Sequence, residues 1–261
     1  MNRFPAGLEG ARILVTNDDG INARGMKVLE HVARDLCNDV WVCAPETERS
    51  GAGHSLTLHR PLRILQISPQ RYAITGTPTD AVLLGLHHIL RDHPPDLVLA
   101  GVNRGGNMGE DITYSGTVAA AMEATLLGVP AIALSQYVSE GRRKVHWSTA
   151  ETHAPPLIRR LCAAGWPKGV FVNINFPDLA ADDVLSVIVA DQGQRKMGEN
   201  LDERVDPRGR PYFWIGTLRD DATPRAGTDL AVVAEGHIAV TPVHMDLTHR
   251  PSIAGLREAL A

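Results

Sequence analysis

The sequence Ile13-Leu14-Val15-Thr16-Asn17-Asp18-Asp19-Gly20 is a short apolar run that ends in two acids and a glycine. The apolar part has the length and branching of a buried strand, and Asp-Gly favours a turn. We therefore predict that both acids lie where a strand leaves its sheet, the place where open α/β sheets bind ligands. Asp18 and Asp19 converge on one ion only if the chain has begun to turn, which Gly20 permits. A turn with solvated acids, or a helix cap, is the alternative interpretation.

Strand and helix patterns alternate after this stretch. Further buried strands are predicted at residues 40–44, 97–102 and 131–135, and helices at residues 23–36, 77–90 and 116–127. Asn22 is the predicted cap of the first helix, and Thr77, Pro78 and Asp80 form a predicted capping box for the second. This alternation favours an α/β fold with a doubly wound, mostly parallel sheet.

The remaining segments are predicted to complete a single domain over residues 1–261. The further expected elements are short strands at residues 54–58, 62–67 and 71–74, a helix at 154–164, and strands at 170–176, 230–234 and 237–243. Residues 191–224 are polar, Arg-rich and irregular, yet Tyr212-Phe213-Trp214-Ile215 is apolar enough to need covering. We expect this segment to form an extended hairpin that packs on another subunit, as a β-rich oligomerisation extension.

The composition excludes several classes of protein. The formal net charge is −4, from 26 Lys plus Arg against 30 Asp plus Glu, so there is no global positive field for polymeric nucleic acid. No apolar run approaches the roughly 18 residues of a membrane span, and the first ten residues lack the apolar core of a signal peptide. The three cysteines have no metal-like spacing and are interpreted as buried, reduced thiols. We expect a cytoplasmic protein without a membrane partner.

Three loops should gather at one edge of the sheet: residues 17–20, 46–53 and 101–117. They carry the carboxylates of Asp18 and Asp19, the hydroxyl of Ser50, and the side-chain amides of Asn103 and Asn107. This all-oxygen set suits a hard divalent cation, so Mg²⁺ or Mn²⁺ fits better than Zn²⁺. Each residue taken singly is also typical of a turn or loop, and it is their joint placement after successive strands that indicates a metal site.

Ser115-Gly116-Thr117 opens a predicted helix and offers free N–H groups and two hydroxyls to a phosphate, although a plain helix cap explains it equally well. The spacing of a Walker phosphate loop is absent. Arg49 and Arg104 flank the candidate ligands and are candidates to attract phosphate. His54 is either an acid near the phosphate or an ordinary surface histidine.

Six sequence blocks resemble the stationary-phase survival protein E family of metal-dependent 5′/3′-nucleotidases. The blocks lie at residues 16–20, 49–58, 76–80, 101–109, 114–123 and 241–243, and they cover nearly the whole chain in order. The resemblance implies a Rossmann-like core with a swapped C-terminal extension, found as dimers or tetramers. One departure is Gly106, where relatives often carry proline.

By this resemblance, Asp18, Asp19, Ser50 and Asn103 fall on the four metal-ligand positions of the family, with one divalent ion per subunit. Ser115-Gly116-Thr117 falls on its phosphate-binding loop. The implied activity is hydrolysis of nucleoside 5′- and 3′-monophosphates, and some members act on short polyphosphate.

The resulting hypothesis is a 5′-nucleotidase in which Asp18 and Asp19 are catalytic and Asn107 joins Ser115, Gly116 and Thr117 in holding the phosphate. Which acid accepts a proton, or whether one attacks directly, stays open. A non-catalytic nucleotide or phosphate sensor is the alternative. A hydrolase with Ser50 as nucleophile is weaker, because Ser50 lacks the Gly-x-Ser-x-Gly elbow.

Overall fold

The computed structural model describes residues 1–2, 4–5, 8–139, 141–142, 144–194, 201–215 and 223–261. In these ranges the strands are β1 (Arg12–Thr16), β2 (Asp39–Pro45), β3 (Ile64–Ser68), β4 (Arg71–Ile74), β5 (Leu97–Arg104), β6 (Ala131–Gln136), β7 (Val170–Phe176), β8 (Val187–Val189), β9 (Leu201–Val205), β10 (Pro211–Ile215) and β11 (Ile238–His244). The α-helices are α1 (Arg24–Leu36), α2 (Pro78–Leu84), α3 (Gly116–Leu126), α4 (Trp147–Ala164), α5 (Asp229–Ala234) and α6 (Arg250–Ala259).

Nine of these strands form one sheet in the order β3-β4-β2-β1-β5-β6-β7-β11-β8. The six strands from β4 to β7 in this order are mutually parallel, whereas β3 and β11 run antiparallel to β4 and β7. The chain leaves β1 toward β2 on one side and later returns to place β5 on the other side. The strand order therefore reverses at β1, and a doubly wound sheet binds ligands at such a switch point.

Alternate residues of β1 enter two separate hydrophobic cores. Ile13 and Val15 pack in the core that also contains α1 and α4, whereas Leu14 packs in the core under α2 and α3. Both faces of the strand are thus buried, which explains its continuous apolar sequence. The alanines of α3 let that helix lie close to the sheet, and four of them are at most 1% exposed.

The structure confirms the α/β class, the mostly parallel sheet and most of the elements predicted in the first half of the chain. The capping box of α2 is present: the Thr77 side chain accepts from the N–H of Asp80, and the Asp80 side chain accepts from the N–H of Thr77. The helix continues through a π-helical turn, Gly85–Ile89, to nearly the predicted end. The three cysteines are free and buried, as expected.

Several local predictions are wrong. Residues 230–234 belong to α5 rather than to a strand. Asn22 does not cap α1, whose N-cap is Ala23 without a side-chain hydrogen bond. Residues 54–58 form no strand. Helix α4 begins seven residues earlier than predicted, and β8 and α6 were not predicted.

Within residues 191–224, β9 and β10 pair as an antiparallel two-stranded sheet separate from the main one. Its apolar side chains are exposed, including Phe213 at 55% and Trp214 at 61%. The rest of the predicted hairpin segment at residues 195–200 and 216–222 lies outside the described residues. In the described part of the chain, no helix is both long and apolar enough to cross a membrane.

Candidate active site

The three predicted loops meet at the carboxyl ends of β1, β2 and β5, where they enclose a cavity of about 660 Å³. Six of the eight candidate site residues line this cavity, and a seventh lies beneath it. The cavity-lining members are Asp18, Asp19, Ser50, Asn103, Asn107 and Ser115. Thr117 is fully buried directly behind Asp18. The eighth, Gly116, joins Ser115 to Thr117 at the start of α3.

Asp18 and Asp19 follow β1 directly, and the chain then turns at Gly20, whose φ is +96°. This left-handed conformation favours glycine, as the sequence predicted. Asp18 is 4% exposed and its Oδ1 accepts a hydrogen bond from the Thr117 hydroxyl. Asp19 is less buried, and its Oδ2 accepts from the N–H of Arg104 at 3.3 Å. The two carboxyl groups are therefore held by different elements, one by α3 and the other by the end of β5.

Both carboxyl groups favour protonation more than an ordinary aspartate does. Burial raises the pKa of Asp18, although its hydrogen bonds to Thr117 work in the opposite direction. Burial raises the pKa of Asp19 to about 6, and the neighbouring charge of Asp18 adds to that rise. Glu48, which also lines the cavity, raises the pKa of both groups further. A cation between these acids would reverse the repulsion and favour their ionised forms.

A β-bulge places Asn103 at the cavity. The pairing of β5 with β6 shifts between Ala100 and Asn103, so that β5 contains one extra residue opposite β6. Bulges commonly redirect a side chain beside an active site. The Asn103 Nδ2 donates to the carbonyl of Gly105 at 2.9 Å. Because the amide nitrogen is engaged there, the carboxamide oxygen is the atom available for a cation.

Ser50 lies in the loop after β2 and is exposed. Its hydroxyl donates to Glu48 Oε1 at 2.9 Å, which leaves the oxygen lone pairs for another partner. This contact does not support the alternative in which Ser50 is a nucleophile, since the hydroxyl hydrogen is directed to a carboxylate and not to a histidine base. His54, four residues later, bonds through Nε2 to Glu123 Oε2 on α3 at 2.8 Å. It does not line the cavity formed by the described residues.

The N-terminus of α3 packs directly on Asp18. Ser115 is the N-cap, and its Oγ accepts from the N–H of Val118 at 3.0 Å. A Cβ at Gly116 would lie 2.7 Å from the Asp18 Cβ and 3.0 Å from its Oδ2, so only glycine fits without displacing the helix or the acid. The Thr117 hydroxyl donates its hydrogen to Asp18 and so does not offer that hydrogen to an anion. The Ser115 hydroxyl hydrogen and the N–H of Gly116, which the helix cannot satisfy internally, are the groups available to an anion.

The cavity has residues that the sequence patterns did not indicate. Glu48 is a third acid near the predicted pair, and Arg24 and Trp147 form a wall at the N-termini of α1 and α4. Of the two candidate arginines, Arg104 lines the cavity and Arg49 does not. Glu48 could have been predicted from the sequence, because it is an acid in a loop that follows a predicted strand. Trp147 could not, because the helix that it begins was predicted to start at residue 154.

A sequence model of the family described as survival protein SurE matches residues 13–199 of this chain. The chain belongs to this family. It is 57% identical over 248 residues to the 5′-nucleotidase SurE of Paramagnetospirillum magneticum, covering 95% of each chain. The 5′-nucleotidase SurE of Brucella canis is 56% identical over 251 residues, or 95% of this chain and 98% of the relative. The SurE crystal structure from Aquifex aeolicus superposes with a TM-score of 0.84 at 36% identity, covering 96% of this chain and all of that one.

These comparisons confirm the resemblance inferred from the sequence blocks and the Rossmann-like α/β fold. Membership of the SurE family implies dependence on a divalent metal, and the donors of this chain fit such an ion: they are carboxylate, hydroxyl and amide oxygens around one cavity. Among the described residues, no group of three or more His, Cys, Asp or Glu side chains is arranged to hold a metal.

Proposed function

We propose that this chain is a divalent-metal-dependent phosphomonoesterase that hydrolyses nucleoside 5′-monophosphates, and also 3′-monophosphates, to nucleoside and phosphate. The observation that carries the proposal is the position of Asp18, at the end of β1 and in contact with the N-terminus of α3. A cation site and an anion site thereby share one cavity. The names of the relatives, 5′-nucleotidase SurE, support the same activity.

The proposed cation ligands are Asp18, Asp19, Ser50 and Asn103, with one Mg²⁺ or Mn²⁺ ion per subunit. When bound, the ion would polarise a phosphoryl oxygen and lower the pKa of a bound water. Asp19 is the more exposed of the two acids, so we assign to it the acceptance of a proton from the attacking water. Asp18 is held by α3 and serves to fix the geometry.

The proposed phosphate contacts are the Ser115 hydroxyl, the Gly116 N–H and the side-chain amide of Asn107. The N-terminus of α3 provides a favourable potential for the negative charge that develops on the phosphate oxygens. Thr117 was predicted as a phosphate contact as well; because its hydroxyl donates to Asp18, we assign it instead to holding that acid in place. Arg104 adds positive charge at the same cavity.

The cavity is larger than a phosphate group alone requires. Ser115 lies at the α3 side of the sheet, whereas Arg24 and Trp147 lie at the side of α1 and α4. A substrate whose phosphate is bound by Ser115 would therefore place its nucleoside toward the half-buried ring of Trp147. An aromatic ring in this position suits a planar base.

The test is to strip the protein of metal and to measure phosphate release from AMP with and without Mg²⁺ or Mn²⁺. We expect turnover only when the metal is restored. Equal turnover in both conditions would contradict the metal dependence. A protein that binds AMP but releases no phosphate with any metal would favour a sensor instead.

We also propose that residues 1–261 form one phosphatase domain that assembles as a homodimer or homotetramer through the segment 191–224. The exposed apolar side chains of β9 and β10 support this assembly, because a patch of this kind on a small two-stranded sheet needs cover. The absence of an apolar spanning helix in the described residues is compatible with the expected cytoplasmic location, which stays a prediction.

A further inference from the structure

Asn107 is held by a buried amide on a strand distant in sequence. Its N–H donates to Asn175 Oδ1 at 2.9 Å, and Asn175 Nδ2 donates back to the carbonyl of Asn107 at 3.0 Å. One carboxamide thus pairs with both main-chain groups of a single residue, as an adjacent strand would. Asn175 is 0% exposed and lies at the end of β7.

Two further contacts complete this clamp on Asn107. Asn173, also on β7 and 0% exposed, donates from Nδ2 to the same carbonyl at 2.8 Å. The side-chain Nδ2 of Asn107 donates to the hydroxyl of Ser135 on β6 at 2.8 Å. Ser135 is 0% exposed as well. The main chain and the side chain of Asn107 are therefore fixed by different strands of the sheet.

The contact with Ser135 determines what Asn107 offers to the cavity. A carboxamide nitrogen carries two N–H donors, and Ser135 engages one of them. The group is planar, so fixing one N–H also fixes the direction of the other. Asn107 is 7% exposed and, like Ser115, lines the cavity, so its second N–H is the donor left for a ligand there.

From these contacts, we infer that Ser135, Asn173 and Asn175 are positioning residues that hold the Asn107 amide in register for one phosphate oxygen. The inference rests on the proposed function, because it takes Asn107 as a phosphate contact. Donors that are fixed before the substrate arrives need no reorganisation during the reaction, and small displacements of a positioned group are costly. The buried polar side chains of β6 and β7 thereby acquire a role beyond packing.

The primary test measures the Kd of inorganic phosphate for the Mn²⁺-loaded protein by isothermal titration calorimetry. Ser135→Ala removes a single hydroxyl and should leave the fold unchanged, whereas Asn175→Ala removes the clamp on the main chain. We expect each variant to weaken phosphate binding by about tenfold. The concentration of Mn²⁺ needed for half-maximal binding should stay within about twofold, because Asn107 is outside the proposed cation set.

A double-mutant cycle separates positioning from a purely structural effect. If Ser135 acts through the Asn107 amide, the variant Asn107→Ala with Ser135→Ala should bind phosphate no more weakly than Asn107→Ala alone. Gln136→Leu is the matched control: Gln136 is also a buried amide on β6, but its Nε2 donates to the carbonyl of Pro177 at 2.8 Å. It should lose stability while keeping the phosphate Kd within about twofold.

Each outcome decides the inference. Wild-type phosphate affinity in both Ser135→Ala and Asn175→Ala would overturn it. It would also be overturned if the double variant lost phosphate affinity by the product of the losses in Asn107→Ala and Ser135→Ala. If the inference fails while the wild-type protein hydrolyses AMP, the proposed function stands. If no nucleotide is hydrolysed but the non-additive loss of phosphate binding is observed, the positioning role is supported and the proposed function fails.

Discussion

The substitution Asp19→Asn should stabilise the cation-free protein at neutral pH while it removes the activity. The pKa of Asp19 is raised from 3.8 to about 6 in the folded chain, mainly by burial and then by the charge of Asp18. A difference of one in pKa corresponds to about 1.36 kcal/mol, so ionising Asp19 costs about 3 kcal/mol more in the folded chain than in the unfolded chain. Because the side chain is only partly buried, solvent screening should reduce this cost to about 1–2 kcal/mol.

The sign of the pH dependence follows from proton binding. Between pH 3.8 and about 6, the folded state holds a proton on Asp19 more tightly than the unfolded state does. The free energy of unfolding of the cation-free protein should therefore fall as the pH rises through this window. Asp19→Asn should reduce that fall, while the contribution of Asp18, whose pKa is raised in the same direction, should remain.

The assay is urea unfolding in EDTA at pH 4 and pH 7, repeated at pH 7 with saturating Mn²⁺. We expect Asp19→Asn to be about 1–2 kcal/mol more stable than the wild type at pH 7 in EDTA, and within about 0.5 kcal/mol of it at pH 4. With Mn²⁺ at 100 times its Kd, the wild type should gain about 2.7 kcal/mol and the variant much less. Phosphate release from AMP should fall at least about 100-fold in the variant.

Asp92→Asn is the control, because Asp92 is an exposed acid outside the cavity and should change neither quantity. Two results would contradict a raised pKa of Asp19 in the folded chain. One is that Asp19→Asn is less stable than the wild type at pH 7 in EDTA, and the other is that the difference in stability is the same at both pH values. Full activity in the variant would remove Asp19 from the catalytic site.

Three further predictions concern the contact of α3 with Asp18, the ring of Trp147 and the segment 191–224. Gly116→Ala should lower kcat/KM for AMP by about 10- to 100-fold, since the new methyl group would collide with Asp18, whereas Gly255→Ala, in open space on α6, should not. Trp147→Ala should raise KM for AMP by about tenfold and leave KM for glycerol 2-phosphate unchanged; equal effects on both esters would contradict a contact with the base. Deleting residues 191–224 should lower the mass measured by light scattering, and an unchanged mass would contradict an oligomeric role.

The buried strands and the capped helix were predictable because their local signals agree with their tertiary environment. The apolar residues of β1 and β7 predict strands, and both strands are buried on both faces. The capping box of α2 depends on side chains within one turn. These features need no information from distant parts of the chain. The sequence predicted a mostly parallel sheet but not the order of its strands. The antiparallel pairing of β11 with β7, for example, joins residues that are far apart in the sequence.

The segment 230–234 shows where that reasoning fails. A short apolar run fits a buried strand and a buried helix equally well, and its flanking residues decide between them. Asp229 precedes it as the first residue of α5 and is fully buried. Its carboxylate accepts from the N–H groups of Gly109 and Gly193 at 3.0 and 2.8 Å, both distant in sequence. The helix is thus tied to the glycine-rich loop by contacts that no local pattern contains.

The difference between local and long-range information also separates the residues that line the cavity from the buried residues that support them. Asp18, Asp19 and Asn103 were predictable because polar residues at the ends of parallel strands must meet at one edge of the sheet. Asn173 and Asn175 lie within the predicted strand at residues 170–176, and the sequence assigned them no role in the site. A signal was present, since two asparagines alternate on one face of an otherwise apolar strand, and a buried amide must find partners. That pattern predicts that a partner exists, but only the packing of β7 beside β6 and the loop after β5 identifies it as Asn107. Polar pairs spaced two residues apart in buried strands are therefore candidate supports of a site even when they are remote from its catalytic loops.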